Sequence, residues 1–196
     1  MSGFKIFFLL SLTAFFFACE DFQTQNYEID AIDAQACTMI SDTTFKNIPT
    51  KSLAEINAGW TLEQLGDSAA KAITILKDSL QVTISALDSA YQIIVNDAVD
   101  SSYLALSTTE GMPLLFYVDD FIKIDLIDST GVMLGISDET MSPELVGGCL
   151  EMDKDVYYPV IKTRYVYKPE ANKYLLRIIK TDQTEKSRFK TAVLNK

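Results

Sequence analysis

Between Ile73 and Ile94 the chain places apolar side chains at a helical rhythm: Ile73, Leu76, Leu80, Ile84, Leu87, Tyr91 and Ile94 follow one another at intervals of three or four. Lys71, Thr74, Asp78, Gln81, Ser85, Asp88, Gln92 and Asn96 repeat a similar spacing in polar residues, and no Gly or Pro occurs from 67 to 110. That pattern predicts one long amphipathic helix. Capping-box sequences at Ser52-Leu53-Ala54-Glu55 and Thr61-Leu62-Glu63-Gln64, with stops at Gly59 and Gly66, predict shorter helices before it. A strand reading competes, because Leu80 to Ser85 alternates and Asp-Ser pairs recur at 67, 78, 88 and 100. The longer helical run outweighs it.

Past Ser101 the pattern shortens to strand length. Tyr103–Ser107, Leu114–Val118, Phe121–Ile127 and Val132–Ile136 are apolar or alternating runs, punctuated by Gly111-Met112-Pro113 and Ser129-Thr130-Gly131. Residues 137–155 read as a long polar loop. Tyr157 to Tyr167 alternates, placing Tyr158, Val160, Lys162 and Arg164 on one face and Ile161, Thr163, Tyr165 and Tyr167 on the other. A turn at Lys168–Asn172, a return over Tyr174–Lys180 and a last strand over Phe189–Leu194 complete the series. The texture of this part, with Tyr174-Leu175-Leu176-Arg177-Ile178 after a Pro/Asn turn, is similar to small jelly-roll-like β-sandwiches of secreted bacterial proteins. Such modules imply binding and assembly more than catalysis. The expected fold class is α+β: N-terminal helices over 37–99, then an antiparallel β-sandwich over 100–196.

Ahead of both lies a different signal. Ile6 to Ala18 is thirteen residues without a charge, preceded by Lys5 and followed by Glu20 and Asp21. Thirteen residues at 1.5 Å rise cover about 20 Å, too short to span a bilayer, and the two carboxylates would then lie in hydrocarbon. A charged start, an apolar stretch and a small residue at Ala18 are the parts of an export signal. Phe16-Phe17-Ala18-Cys19 resembles the cleavage site of bacterial lipoproteins. Ala18 and Cys19 match that pattern, whereas Phe16 and Phe17 depart from the usual Leu and small residue. The resemblance implies removal of residues 1–18, acylation of Cys19 by a palmitate-type chain, and a mature protein held on a membrane of the cell envelope, with the outer membrane favoured. Residues 19–36 hold five carboxylates and no Lys or Arg. They read as an acidic tether.

Charge is unevenly spread. From Cys19 to Asp155 there are 6 basic and 24 acidic side chains; from Val156 to Lys196 there are 10 basic and 3 acidic. The basic part either faces an anionic partner or lies beside the acidic part of its own chain. A net charge of −10 argues against a nucleic-acid partner. With Cys19 acylated, Cys37 and Cys149 remain, and an oxidising compartment favours their pairing as a disulfide over two buried thiols. In chain-entropy models so long a loop contributes about 4–5 kcal/mol.

No histidine is present. That removes Ser-His-Asp and Cys-His catalysis and the common zinc and haem ligand sets. Paired carboxylates could still act as general acids, with Asp119-Asp120, Asp125, Asp128 and Glu151-Asp153-Asp155 the dense candidates, but a solvated hairpin accounts better for Asp119-Asp120. Asp125 to Gly131 lacks the alternating carboxylates of a calcium loop. No metal or cofactor is expected. The chain reads as a membrane-anchored, non-catalytic envelope lipoprotein that binds or assembles with an envelope protein. The alternative is a carbohydrate- or ligand-binding surface lipoprotein using Tyr158, Lys162, Arg164, Tyr165 and Arg177.

Overall fold

A computed structural model describes residues 31–196 apart from 43, 58–68, 77–82, 86, 96–97, 109–110, 141–149, 154–155, 171–172 and 196, with backbone alone at 138–140 and 150–159. The fold is mostly β, arranged as a sandwich. Three helical pieces are described: α1 (Ala31–Ser41), the single turn α2 (Leu53–Ile56) and a stretch over residues 69–76. The strands are β1 (Lys46–Pro49), β2 (Thr83–Ile84), β3 (Ser89–Ile94), β4 (Ser101–Ser107), β5 (Leu114–Val118), β6 (Ile122–Ile127), β7 (Met133–Leu134), β8 (Asp138–Thr140), β9 (Leu150–Asp153), β10 (Val156–Pro159), β11 (Thr163–Tyr167), β12 (Lys173–Lys180) and β13 (Arg188–Asn195).

Six strands form the first sheet in the order β1-β3-β13-β5-β11-β8, and five form the second in the order β2-β4-β12-β6-β7. β9 and β10 pair only with each other. Pairing is antiparallel except for β1 with β3 and β2 with β4. From β1 to β6 successive strands fall in alternate sheets, and β11, β12 and β13 do so again. Apart from β6 and β7, neighbours in these two sheets are therefore distant in sequence. β12 is inserted between β4 and β6, and β13 between β3 and β5.

Period-two burial fixes the register. Leu114, Phe116 and Val118 of β5 share the core between the sheets with Tyr91 and Ile93 of β3, Tyr165 and Tyr167 of β11, and Phe189 and Val193 of β13. Leu104 and Leu106 of β4, Ile122, Ile124 and Leu126 of β6, and Tyr174, Leu176 and Ile178 of β12 meet them from the second sheet. Phe116 and Tyr167 pack edge to face with ring centroids 6.0 Å apart. At one side of the sandwich β7 pairs only with Leu126 and Ile127 of β6. There Tyr165 donates its hydroxyl to the Ile122 carbonyl at 2.8 Å, and Tyr167 donates to that of Ile124. Two first-sheet tyrosines thus satisfy buried acceptors of the second sheet, where an unmade bond would be costly.

The long helix is not borne out. Helix is described over residues 69–76, where Ile73 and Leu76 enter the core, but residues 83–84 and 89–94 are strands. Tyr91 and Ile93 point inward with Gln92 between them, a two-residue period that sheet pairing on both sides of β3 stabilises. Asp88, at φ 55°, makes the turn into β3. Strands β1, β2 and β3 thus interleave with the later ones, so helices do not form a separate N-terminal region. The tether shortens as well, since α1 takes residues 31–36. The loop over 137–155 contains β8 and β9, and the Tyr157–Tyr167 run is two strands, β10 and β11, broken at Val160–Lys162. By contrast, the Ser52 capping box forms: Ser52 Oγ accepts the Glu55 N–H at 3.2 Å and Glu55 accepts the Ser52 N–H at 2.7 Å. The second box, with Gly59 and Gly66, lies outside the described residues. β4, β5, β6, β12 and β13 form where expected.

Replacing Tyr167→Phe removes one hydroxyl and leaves the Ile124 carbonyl without its donor. A loss of about 1–3 kcal/mol in urea unfolding is expected, and an unchanged midpoint would show that this bond does not hold the sheets together.

Candidate functional site

Sheet alternation makes the first sheet apolar on both faces. Outward from it point Leu115 and Tyr117 of β5 and Ala192 and Leu194 of β13, joined by Ile161. An uncovered face of this kind would be unstable in water, and α1 covers it with Ala36 and Ile40, both fully buried. Asp33, in the first turn of α1, is 4% exposed. It accepts the Tyr117 hydroxyl at 2.5 Å and Arg164 Nη1 at 3.2 and 3.3 Å. At the other end of the helix Lys190 Nζ donates to the Ile40 carbonyl at 3.0 Å and lies 4.7 Å from the centre of the Phe45 ring. The two fixed points are seven residues apart, about 10 Å of helix. They fall on β11 and β13, two strands apart and so also about 10 Å. The helix therefore crosses the strands and is fastened at both ends. Burial, and then the hydrogen bond to Asp33, push the Tyr117 hydroxyl far above its ordinary pKa, so it remains a donor.

The second sheet carries a parallel arrangement. Arg177 of β12 lies in register between Tyr103 of β4 and Asp125 of β6. Its Nε donates to Asp125 Oδ2 at 3.0 Å and its Nη2 to the same oxygen, while Lys123 Nζ approaches Oδ1 at 3.6 Å. Asp125 is 3% exposed. Burial raises the pKa of Tyr103 while the neighbouring Arg177 opposes the shift.

A third polar knot joins β5–β6 to the β12–β13 connection. Asp120 accepts the backbone N–H groups of Phe121 at 2.8 Å, Lys186 at 2.9 Å and Glu185 at 3.3 Å. Asp119 accepts the Lys190 N–H at 2.6 Å and Lys186 Nζ at 3.0 Å, and the Phe121 carbonyl takes both Thr181 and Thr184 hydroxyls. Burial pushes the Asp119 carboxyl up, against the pull of Lys186 and Lys190. Asp119 and Asp120, two of the carboxylates weighed as general acids, thus clamp a loop. Asp128, weighed for calcium, accepts the N–H groups of Thr130 at 2.8 Å and Val132 at 3.0 Å and the Thr130 hydroxyl, closing a turn through Gly131 at φ 86°. Among the described residues no three His, Cys, Asp or Glu converge as metal ligands.

The five residues proposed as a ligand surface are not brought together. Tyr165 is buried between the sheets, Arg164 lies beneath α1, and Arg177 belongs to the second sheet. Lys162 sits 5.9 Å from the Phe121 ring. Tyr158 pairs with Glu151 in the β9–β10 hairpin, described by its backbone. Cys37 is half-buried on α1, whereas Cys19 and Cys149 lie outside the described residues. Asp33 was assigned to the tether. The spacing Ile32, Ala36, Ile40 was the available signal that a helix begins before it.

Asp128 keeps its charge to lower pH than an ordinary carboxyl: burial pushes its pKa up, but hydrogen bonds from Thr130, Val132 and Gly131 outweigh it. A group whose folded pKa is depressed contributes stability above its unfolded pKa and loses it as pH falls through the folded one. Asp128→Ala should therefore lower Tm at pH 6–7, and the two proteins should converge below about pH 3. Parallel melting curves across that range would refute the turn's role.

The chain matches no known family model, and no curated protein sequence matches it.

Proposed function

We propose that this chain is an envelope lipoprotein, acylated at Cys19 and held on the outer membrane at its periplasmic or surface face, with a binding or assembly role and no catalysis. The observation that carries the reading is the uncharged run from Ile6 to Ala18 ending at Cys19. Two or three acyl chains, at about 0.8 kcal/mol per buried CH₂, make a durable anchor where one does not. Eleven residues, 20–30, separate Cys19 from α1, a reach of about 40 Å at most. Because α1 is fastened through Asp33 and Lys190, a pull on the anchor would be borne by the first sheet. The non-catalytic part is supported by the carboxylates of Asp119, Asp120, Asp125 and Asp128, each engaged by its own protein. Pairing of Cys37 with Cys149 belongs to the same proposal and is supported by their being the two cysteines that remain, in an oxidising compartment, once Cys19 is acylated. It would tie α1 to the segment after β8.

The second reading, a carbohydrate-binding surface lipoprotein, cannot rest on the buried Tyr165.

Cells grown in labelled palmitate should yield a labelled protein, and Cys19→Ser should abolish the label. An unlabelled protein, or label that survives the substitution, would refute the anchor.

A further inference from the structure

The two ends of the sandwich differ in character. In the second sheet Ser107, at the end of β4, pairs with Lys173 at the start of β12, and Leu175 pairs with Ile127 at the end of β6. In the first sheet Tyr167, at the end of β11, pairs with Leu114 at the start of β5. The β4–β5 connection, the β6–β7 turn and the β11–β12 turn therefore gather at one end. Four large apolar side chains are exposed among the described residues, and three belong to this end: Val132 (62%), Met133 (50%) and Met112 (39%). Ile75 is the fourth, on a helical stretch whose Leu76 carbonyl meets Thr83 of β2, at the other edge of the second sheet from β7. The opposite end, where β12 leads to β13, exposes Asp182, Gln183, Glu185 and Lys186 instead.

Hydrogen bonds hold the apolar end in shape. Asp128 closes the β6–β7 turn through Gly131: its carboxylate accepts the Val132 N–H at 3.0 Å and its own N–H donates to the Val132 carbonyl at 2.9 Å. Gly111, at φ 77°, donates its N–H to the Pro169 carbonyl at 3.0 Å, which fastens the residue before Met112 to the β11–β12 turn. Lys168, Glu170 and Lys173 are exposed at the same end, and Asp128 keeps its charge, so the rim is of mixed sign. What this end offers a partner is apolar contact, not net charge.

The tether names the occupant. Asp33 fixes the start of α1 to Tyr117 of β5, and Met112 lies five positions along the chain from Tyr117, about 17 Å at most. The segment from Cys19 to α1 reaches about 40 Å, so this end comes within range of the bilayer that holds the acyl chains. At that distance a contact too weak to recruit a free protein is enough to orient an anchored one. Apolar side chains on short turns, with lysines beside them whose ammonium groups can stay among head groups, suit shallow insertion.

We infer that the end carrying Met112, Val132 and Met133 rests in the interface of the membrane that holds Cys19, which turns the Asp182–Lys186 end away from it. The inference rests on the anchor proposed above and adds an orientation to it. It is tested with the acylated full-length chain on vesicles of phosphatidylethanolamine and phosphatidylglycerol, with and without brominated acyl chains. The indole added by Val132→Trp should be quenched about twofold or more by the brominated lipid, as an interfacial indole is, while the indole added by Gln183→Trp is not quenched beyond the parent chain. Met133→Asp, combined with Val132→Trp, should relieve most of that quenching while the chain stays bound to the vesicles. An unquenched indole at position 132 would leave this end to a protein partner and overturn the inference. Equal quenching at both positions overturns it too, as does quenching that Met133→Asp does not change. Flotation with the vesicles reads the anchor separately: a chain that floats without quenching at 132 loses the orientation alone, and one that does not float loses both.

Discussion

Neither sheet is complete until the last strands are in place. β12 enters between β4 and β6, and β13 between β3 and β5, so the C-terminal residues occupy central positions in both layers. That constraint explains the division of charge along the chain. Arg164, Arg177 and Lys186 come from the basic end, and each meets a carboxylate from the acidic part: Asp33, Asp125 and Asp119. A buried ion pair carries no guaranteed net stabilisation, because desolvation opposes it. Its larger effect is on pairing, since a slipped register would leave a buried charge alone. The basic region is thus accounted for in good part by its own fold.

The same economy governs the tyrosines. A ring supplies apolar area and the hydroxyl a directed bond, so a tyrosine can sit in a core and still satisfy a polar neighbour. Tyr165 and Tyr167 do this between the sheets, Tyr117 under α1 and Tyr103 beside Arg177. Tyr165 and Tyr167, which looked in the sequence like part of a sugar-stacking surface, are structural for this reason.

How much was legible follows from how local each decision is. β5 and β13 are continuous apolar or alternating runs bounded by turn residues, and local pattern was enough to place them. The stretch from Ile73 to Ile94 satisfies a helical period and, from Ser89, a two-residue period as well. Partners decide between them: β1 forty residues earlier and β13 a hundred later, which no window of the sequence contains. Asp88, with its left-handed backbone, was the local mark of the break. Asp33 was missed for a related reason. An acidic residue in an acidic stretch looks solvated until Arg164 and Tyr117 are brought beneath it from more than eighty residues away.

Stitching of the basic C-terminal strands to acidic earlier ones is most directly tested by a double-mutant cycle on Asp125 and Arg177, using Asp125→Leu, Arg177→Met and both together. Urea unfolding should give a coupling energy above about 1 kcal/mol, with the double variant more stable than the single losses predict. Single effects that add within about 0.5 kcal/mol would mean that the pair is incidental and that apolar packing alone sets the strand order.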